Sequence, residues 1–298
     1  MIEPEKNKFL TALLVSLFFL FASAAHGAQP WELARLMTGA DGTTRLEMPL
    51  ELSFDAVNHR YFVVDGRHGV LMSFDEAGGR LAAFNAGEQI RQPVDLSLID
   101  ANRLWVVDRS LNQLLYIDVS EKQVRAFSIR HPNGEPVFVD RLDRDRQGRL
   151  LVLDRLSGAI AILDDNLQVT QTLAGGKDFQ GFSDFKVKDD GIWALDGLQR
   201  TVSHFDGKGR LQKTIALAGE LSFPVAIELD DSGTLYILDR HAGDVRTFDA
   251  QGRFKTAFLL KGKRAGQLWY PAALAFDWAG RLCVVDEGNA RIQVYERK

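Results

Sequence analysis

The stretch "GRLLVLDRLSGAIAILD", residues 148–164, is an apolar run that ends on Asp154, makes a polar turn, and becomes apolar again up to Asp164. Short runs of aliphatic residues bounded by Gly, Ser and Asp read as two strands joined by a tight turn. The phrase recurs as "HRYFVVDGRHGVLMSFD", "NRLWVVDRSLNQLLYID", "GIWALDGLQRTVSHFD", "GTLYILDRHAGDVRTFD" and "GRLCVVDEGNARIQVYE". The Asp closing each first run falls at Asp65, Asp108, Asp154, Asp196, Asp239 and Asp286, at spacings of 43, 46, 42, 43 and 47. A period of this length built from strand-sized runs is the signature of propeller blades. The expected fold class is all-β: a six-bladed β-propeller of four-stranded antiparallel blades.

Within one unit the runs "PVAIELD", "TLYILD", "DVRTFD" and "FKTAF" follow one another, and "DDSG", "RHAG" and "AQG" supply the turn residues between them. The runs are apolar throughout rather than alternating, as expected of sheets packed on both faces. The last copy stops at "RIQVYERK", after only its third strand. "WELARLM", residues 31–37, precedes the first inner strand as "KTAFLLKG" precedes the sixth, so Trp31 to Met37 are expected to complete the last blade. Closing the ring removes the open edges that such sheets otherwise present.

With these features the chain resembles the NHL-repeat family of six-bladed propellers. The resemblance rests on "LDRHAGDVRTFDAQGRFKTAF" (238–258), "VVDEGNARIQVY" (284–295) and the connector "KGKRAGQLWYPAALAFD" (261–277), and it extends over nearly the whole chain after the leader. It implies the propeller fold but no single activity, because the family includes protein and RNA binders, a lyase module and exported proteins. No copy carries the Trp-Asp signature of the other common propeller repeat.

Residues 1–27 read as an export signal: Lys6 and Lys8 precede the apolar "FLTALLVSLFFLFASAA", and "ASA" or "AHG" supplies the small residues of a cleavage site. Residues 28–298 form the propeller domain, expected in the periplasm or secreted. The two Glu and two Lys of the leader cancel, so the remainder keeps a net charge of −4, which argues against nucleic acid as a partner. Cys283 is the only cysteine, so no internal disulfide is available, and its place in "RLCVVD" suits a buried apolar role. There is no GxSxG, HExxH, GxxxxGK[ST] or GxGxxG motif.

The six repeated Asp residues read first as structural, each carboxylate accepting N–H groups of the following turn. Differences between copies carry more functional information. The channel-lining position of each first strand is Glu51, Asp95, Asp140 or Arg141, Asp184, Ala226 and Ala273 in turn; the third depends on a one-residue shift. The loops after the six Asp residues carry Arg67 and His68, Arg109, Arg155, Arg200, Arg240 with His241, and Arg291. His68 and His241 look equivalent. Three readings fit: a Ca or Mg ion held by Glu51, Asp95 and Asp184; an anionic ligand held by Arg67, His68, Arg109, Arg155, Arg240 and His241; or a network in which acid and base neutralise one another. The favoured function is a monomeric, non-enzymatic binding module that docks a protein, peptide or glycan at the channel mouth. The alternative is a metal-dependent lactonase or lyase using the channel carboxylates.

Overall fold

In the computed structural model, which describes residues 31–39 and 45–298, every copy of the repeated phrase is an antiparallel hairpin at the centre of a four-stranded sheet. Blade 1 comprises Pro49–Asp55, Arg60–Asp65, Val70–Phe74 and Arg80–Phe84. Blades 2 to 5 repeat the order from Pro93–Leu98, Val139–Arg144, Asp184–Lys188 and Pro224–Leu229 as their first strands. The first strands contact one another around a closed ring, from blade 1 through blade 6 and back, and so line a central channel. The expected signal peptide lies outside the described residues. Among those residues no helix is long and apolar enough to cross a membrane.

The sixth blade takes Ala273–Phe276, Leu282–Asp286 and Arg291–Arg297 from the end of the chain and Trp31–Met37 from its beginning, as expected. Trp31 pairs with Arg297 and Met37 with Ile292. Trp31 is buried against Phe258, Phe276 and Tyr236, with ring centroids 5.9–6.3 Å away, so the closing strand is anchored by aromatic packing as well as backbone pairing.

Apolar side chains form six clusters, each between two neighbouring blades. Consecutive residues of a second strand point to opposite faces, so Val63 packs toward blade 6 and Val64 toward blade 2. Because both faces are covered, a run such as "YFVVD" must be apolar throughout. Cys283 sits in the cluster between blades 6 and 1, and burial raises its thiol well above the ordinary range, which makes it unreactive.

The repeated Asp ties the blade together. Asp65 accepts from the N–H groups of Arg67 (3.0 Å) and His68 (3.2 Å) in the turn and from Glu47 (2.8 Å) before the first strand. Asp239 does the same with His241 (3.2 Å), Ala242 (2.9 Å), Ser222 (2.5 Å) and Phe223 (3.1 Å). Asp108, Asp154 and Asp196 likewise join the turn to the chain that enters the blade. The fourth residue after each Asp is left-handed: Gly69, Asn112, Gly158, Arg200, Gly243 and Ala290, with φ between 49° and 68°. At Gly243 a side chain would meet the Lys261 backbone at 2.9 Å, so glycine also permits a close approach there.

Trp31→Ala is expected to cost about 3–5 kcal/mol in urea unfolding, because it removes a packed aromatic from the closing strand. Asp239→Ala is expected to cost a similar amount, since it removes four hydrogen bonds to a buried carboxylate, each worth about 1 kcal/mol net. A loss below about 1 kcal/mol for either would show that its contacts are replaceable.

Candidate functional site

Backbone register decides which side chains enter the channel. In blades 1, 2, 3 and 5 the first strand carries a bulge one residue before the channel position. Glu51 then lies opposite Val64, Asp95 opposite Val107, Arg141 opposite Leu153 and Ala226 opposite Leu238. The third position is therefore Arg141. Asp140 is the bulge residue, and it pairs with Arg109 at 2.5 Å. The channel ring thus reads Glu51, Asp95, Arg141, Asp184, Ala226, Ala273, with a cation where a fourth carboxylate was open.

A second ring lies two residues further along the same strands: Ser53, Ser97, Asp143, Lys186, Glu228 and Ala275, with Lys188 beyond it. The motif search missed these residues, although the period-two rule applied to the named positions reaches each of them. Together the two rings line a cavity of about 200 Å³. Glu51, Asp95 and Asp184 are 2–5% exposed, whereas Ser53, Ser97, Asp143 and Lys186 are half-buried. The cavity therefore opens toward the lower face, which carries the turns between first and second strands. A second cavity of about 560 Å³, lined by Lys188, Asp190, Trp193 and Asp230, adjoins it there.

The channel carboxylates join neighbouring blades. Asp95 accepts from Leu142 N–H of blade 3 (2.8 Å), Asp143 from Val187 of blade 4 (2.9 Å) and Asp184 from Ile227 of blade 5 (2.9 Å). Asp95 gives its other oxygen to Leu96 N–H at 2.6 Å. Burial pushes Glu51 and Asp143 up from the ordinary carboxylate range and Asp95 well above it, with neighbouring Glu51 adding to the shift of Asp95. Burial opposes the charges of Arg141 and Lys186, but the surrounding carboxylates outweigh it and raise both.

Glu51, Asp95 and Asp184 do come into one channel, and Arg141 and Lys186 share it with them. Asp95 accepts one backbone N–H on each oxygen, and the Arg141 and Lys186 charges act directly on Glu51 and Asp95. Among the described residues no group of three or more His, Cys, Asp or Glu side chains is arranged to hold a metal ion.

The arginine loops occupy the upper face, where the second strands end. Arg109 is held by Asp140, while Arg240 donates to Glu287 (2.7 Å) and to the carbonyls of Tyr270 and Pro271. His68 contacts Asp65 (3.1 Å) and Glu47 (3.5 Å), Arg67 lies 3.6 Å from Glu47, and His241 stacks on Phe223 at 4.6 Å. Arg155 and Arg200 are exposed, and their side chains have no hydrogen bond or ion pair among the described residues. Arg291 is instead buried, bonded to Asp286 and to the carbonyls of Arg264 and Gln267. His68 and His241 are not equivalent: one is the third residue after its Asp and the other the second. Leu156, Leu198, Phe223 and Tyr270 are exposed on the same face.

The closed ring and its lined channel define a six-bladed β-propeller. Within it, residues 268–295 match the family described as NHL repeat. Among solved structures the chain is similar to a streptogramin B lyase, with 8% identity, a TM-score of 0.68, and coverage of 90% of this chain and 98% of that one. It is also similar to virginiamycin B lyase from Staphylococcus aureus, at 11% identity and a TM-score of 0.64, covering 90% and 88%. A catalytically inactive form of the latter with quinupristin gives 11%, 0.68, 90% and 100%. At these identities the likeness shows the fold alone.

The pH dependence follows from the raised channel acids. The folded state binds their protons more tightly than the unfolded chain does. Their contribution to stability is therefore full below the ordinary carboxylate range and is lost as pH rises through the raised values. Between about pH 4.5 and neutrality these groups should lower the thermal midpoint, and Glu51→Gln should flatten that fall. Melting curves at a series of pH values check it, and an unchanged slope in the variant would remove Glu51 from the set.

Proposed function

We propose that the protein is a non-enzymatic binding propeller that docks a protein or peptide on its upper face. One observation carries this reading: exposed Leu156, Leu198, Phe223 and Tyr270 are interspersed there with Arg155 and Arg200, whose charges have no partner among the described residues. Exposed apolar side chains beside unpaired arginines are the composition of a recognition surface. The enzymatic alternative, a metal-dependent lactonase or lyase, is supported less well, because Arg141 and Lys186 share the channel with the carboxylates it requires and would repel a cation there.

The reading is tested with the double variant Arg155→Glu, Leu156→Ser, whose altered side chains are both exposed. The unaltered chain should retain a stoichiometric partner from its native compartment, and the variant should bind that partner at least about tenfold more weakly with an unchanged thermal midpoint. Equal binding by the two proteins would move the docking surface elsewhere.

We also propose that residues 1–27 direct export to the periplasm or the medium. N-terminal sequencing of the exported chain should begin near residue 28. A full-length chain confined to the cytosol would overturn this.

A further inference from the structure

The channel cavity contains more hydrogen-bonding capacity than its own walls use. The Lys186 ammonium lies 3.9 Å from its nearest carboxylate, that of Asp184, and makes no hydrogen bond. The Arg141 guanidinium donates only to the neighbouring Asp140 carbonyl, at 3.3 Å, and lies 3.8 Å from the Asp140 carboxylate. Ser53 and Ser97 line the same space, and their hydroxyls have no partner among the described residues. Glu51 and Asp184 each spend one oxygen, on the N–H groups of Leu52 and Ile227, and keep the other free. By contrast, Lys188 and Glu228 at the cavity's edge pair directly with each other.

The mixture of signs excludes most ligand classes. A free anion drawn to Arg141 and Lys186 would meet the carboxylates of Glu51, Asp95 and Asp184. A free cation drawn to those carboxylates would meet Arg141 and Lys186. A molecule carrying both charges matches both groups at once, and complementary charge placed in a confined space of low polarity is where such matching is strongest. Size permits it: about 200 Å³ corresponds to roughly seven waters at about 30 Å³ each, room for a small amino acid together with a few waters. The space exists because blades 5 and 6 contribute Ala226, Ala273 and Ala275 where the other blades contribute longer side chains. Ala275 gives that side of the cavity a small apolar face, while Phe54 and Phe276 turn into the clusters between blades.

We infer that the channel cavity binds a small zwitterion of α-amino-acid type, its carboxylate on Arg141 and Lys186 and its ammonium group on Glu51 and Asp184. The hydroxyls of Ser53 and Ser97 complete the carboxylate's hydrogen bonds. The ligand enters from the lower face, so this site is separate from the proposed docking surface, and neither reading depends on the other.

The test uses the chain from residue 28 onward and measures thermal midpoints at constant ionic strength with glycine, L-alanine or L-serine. Sodium acetate serves as an anion-only probe and methylammonium chloride as a cation-only probe. At about 10 mM at least one zwitterion should raise the midpoint by about 2 °C or more, and neither single-charge probe should. Titration calorimetry should then give one site per chain. Lys186→Met should abolish the shift, and Ser97→Ala should weaken binding several-fold. Should Lys186→Met fail to fold, the comparison of probes on the unaltered chain and the Ser97→Ala variant still decide the matter. No shift with any zwitterion, or an equal shift with acetate or methylammonium alone, would overturn the assignment.

Discussion

The buried carboxylate that ends the second strand of every blade is the constraint on which the rest of the structure depends. A propeller blade has two places where backbone N–H groups escape the ladder: the turn after the second strand and the segment leading into the first. One Asp satisfies both, as Asp65 does for Arg67 and His68 on one side and Glu47 on the other. Leaving such groups unpaired would cost more than most single contacts contribute, so the residue recurs in every copy. In blade 6 Asp286 accepts from Trp269 N–H on the entry side, while Asn289 and Arg291 side chains replace the turn amides. This variation coincides with the projecting connector between blades 5 and 6, whose Gly262, Arg264 and Gln267 carbonyls are held by the same two side chains.

The channel repeats the same physics one layer inward. A first strand is an edge of its sheet, and its inner N–H groups need acceptors that its own blade does not provide. Asp95, Asp143 and Asp184 supply them across blade boundaries and hold blades 2 to 5 in register with one another. Buried acids of this kind need compensating charge, which Arg141 and Lys186 provide, Lys186 from 3.9 Å away from Asp184 and without a hydrogen bond to it. The result is a polarised cavity whose carboxylates are partly spent on structure and whose cations, hydroxyls and remaining carboxylate oxygens are open.

The likeness to streptogramin and virginiamycin B lyases at 8–11% identity illustrates how little of a propeller's sequence its fold requires. Turn residues, apolar runs and one aspartate per blade are enough to build the ring. What lines the channel and rims the loops is then free to change, so function follows those positions rather than the architecture.

The sequence by itself determined the six blades, their strand order, the closing role of Trp31 to Met37 and the structural role of the repeated Asp. Each is local: a period, a turn residue or an unpaired strand can be read along the chain without knowing what lies opposite. The identity of the third channel residue was not local, because the bulge at Asp140 shifts pairing by one and sends Arg141 inward, and only the partner strand fixes that register. The same holds for the direction in which the cavity opens, for Asp143, whose place in the second ring follows from that register, and for Arg291 as a buried clamp rather than a rim cation. These depend on which side chains from distant blades meet around one axis, and the charge of any one position acquires meaning only from the five that face it.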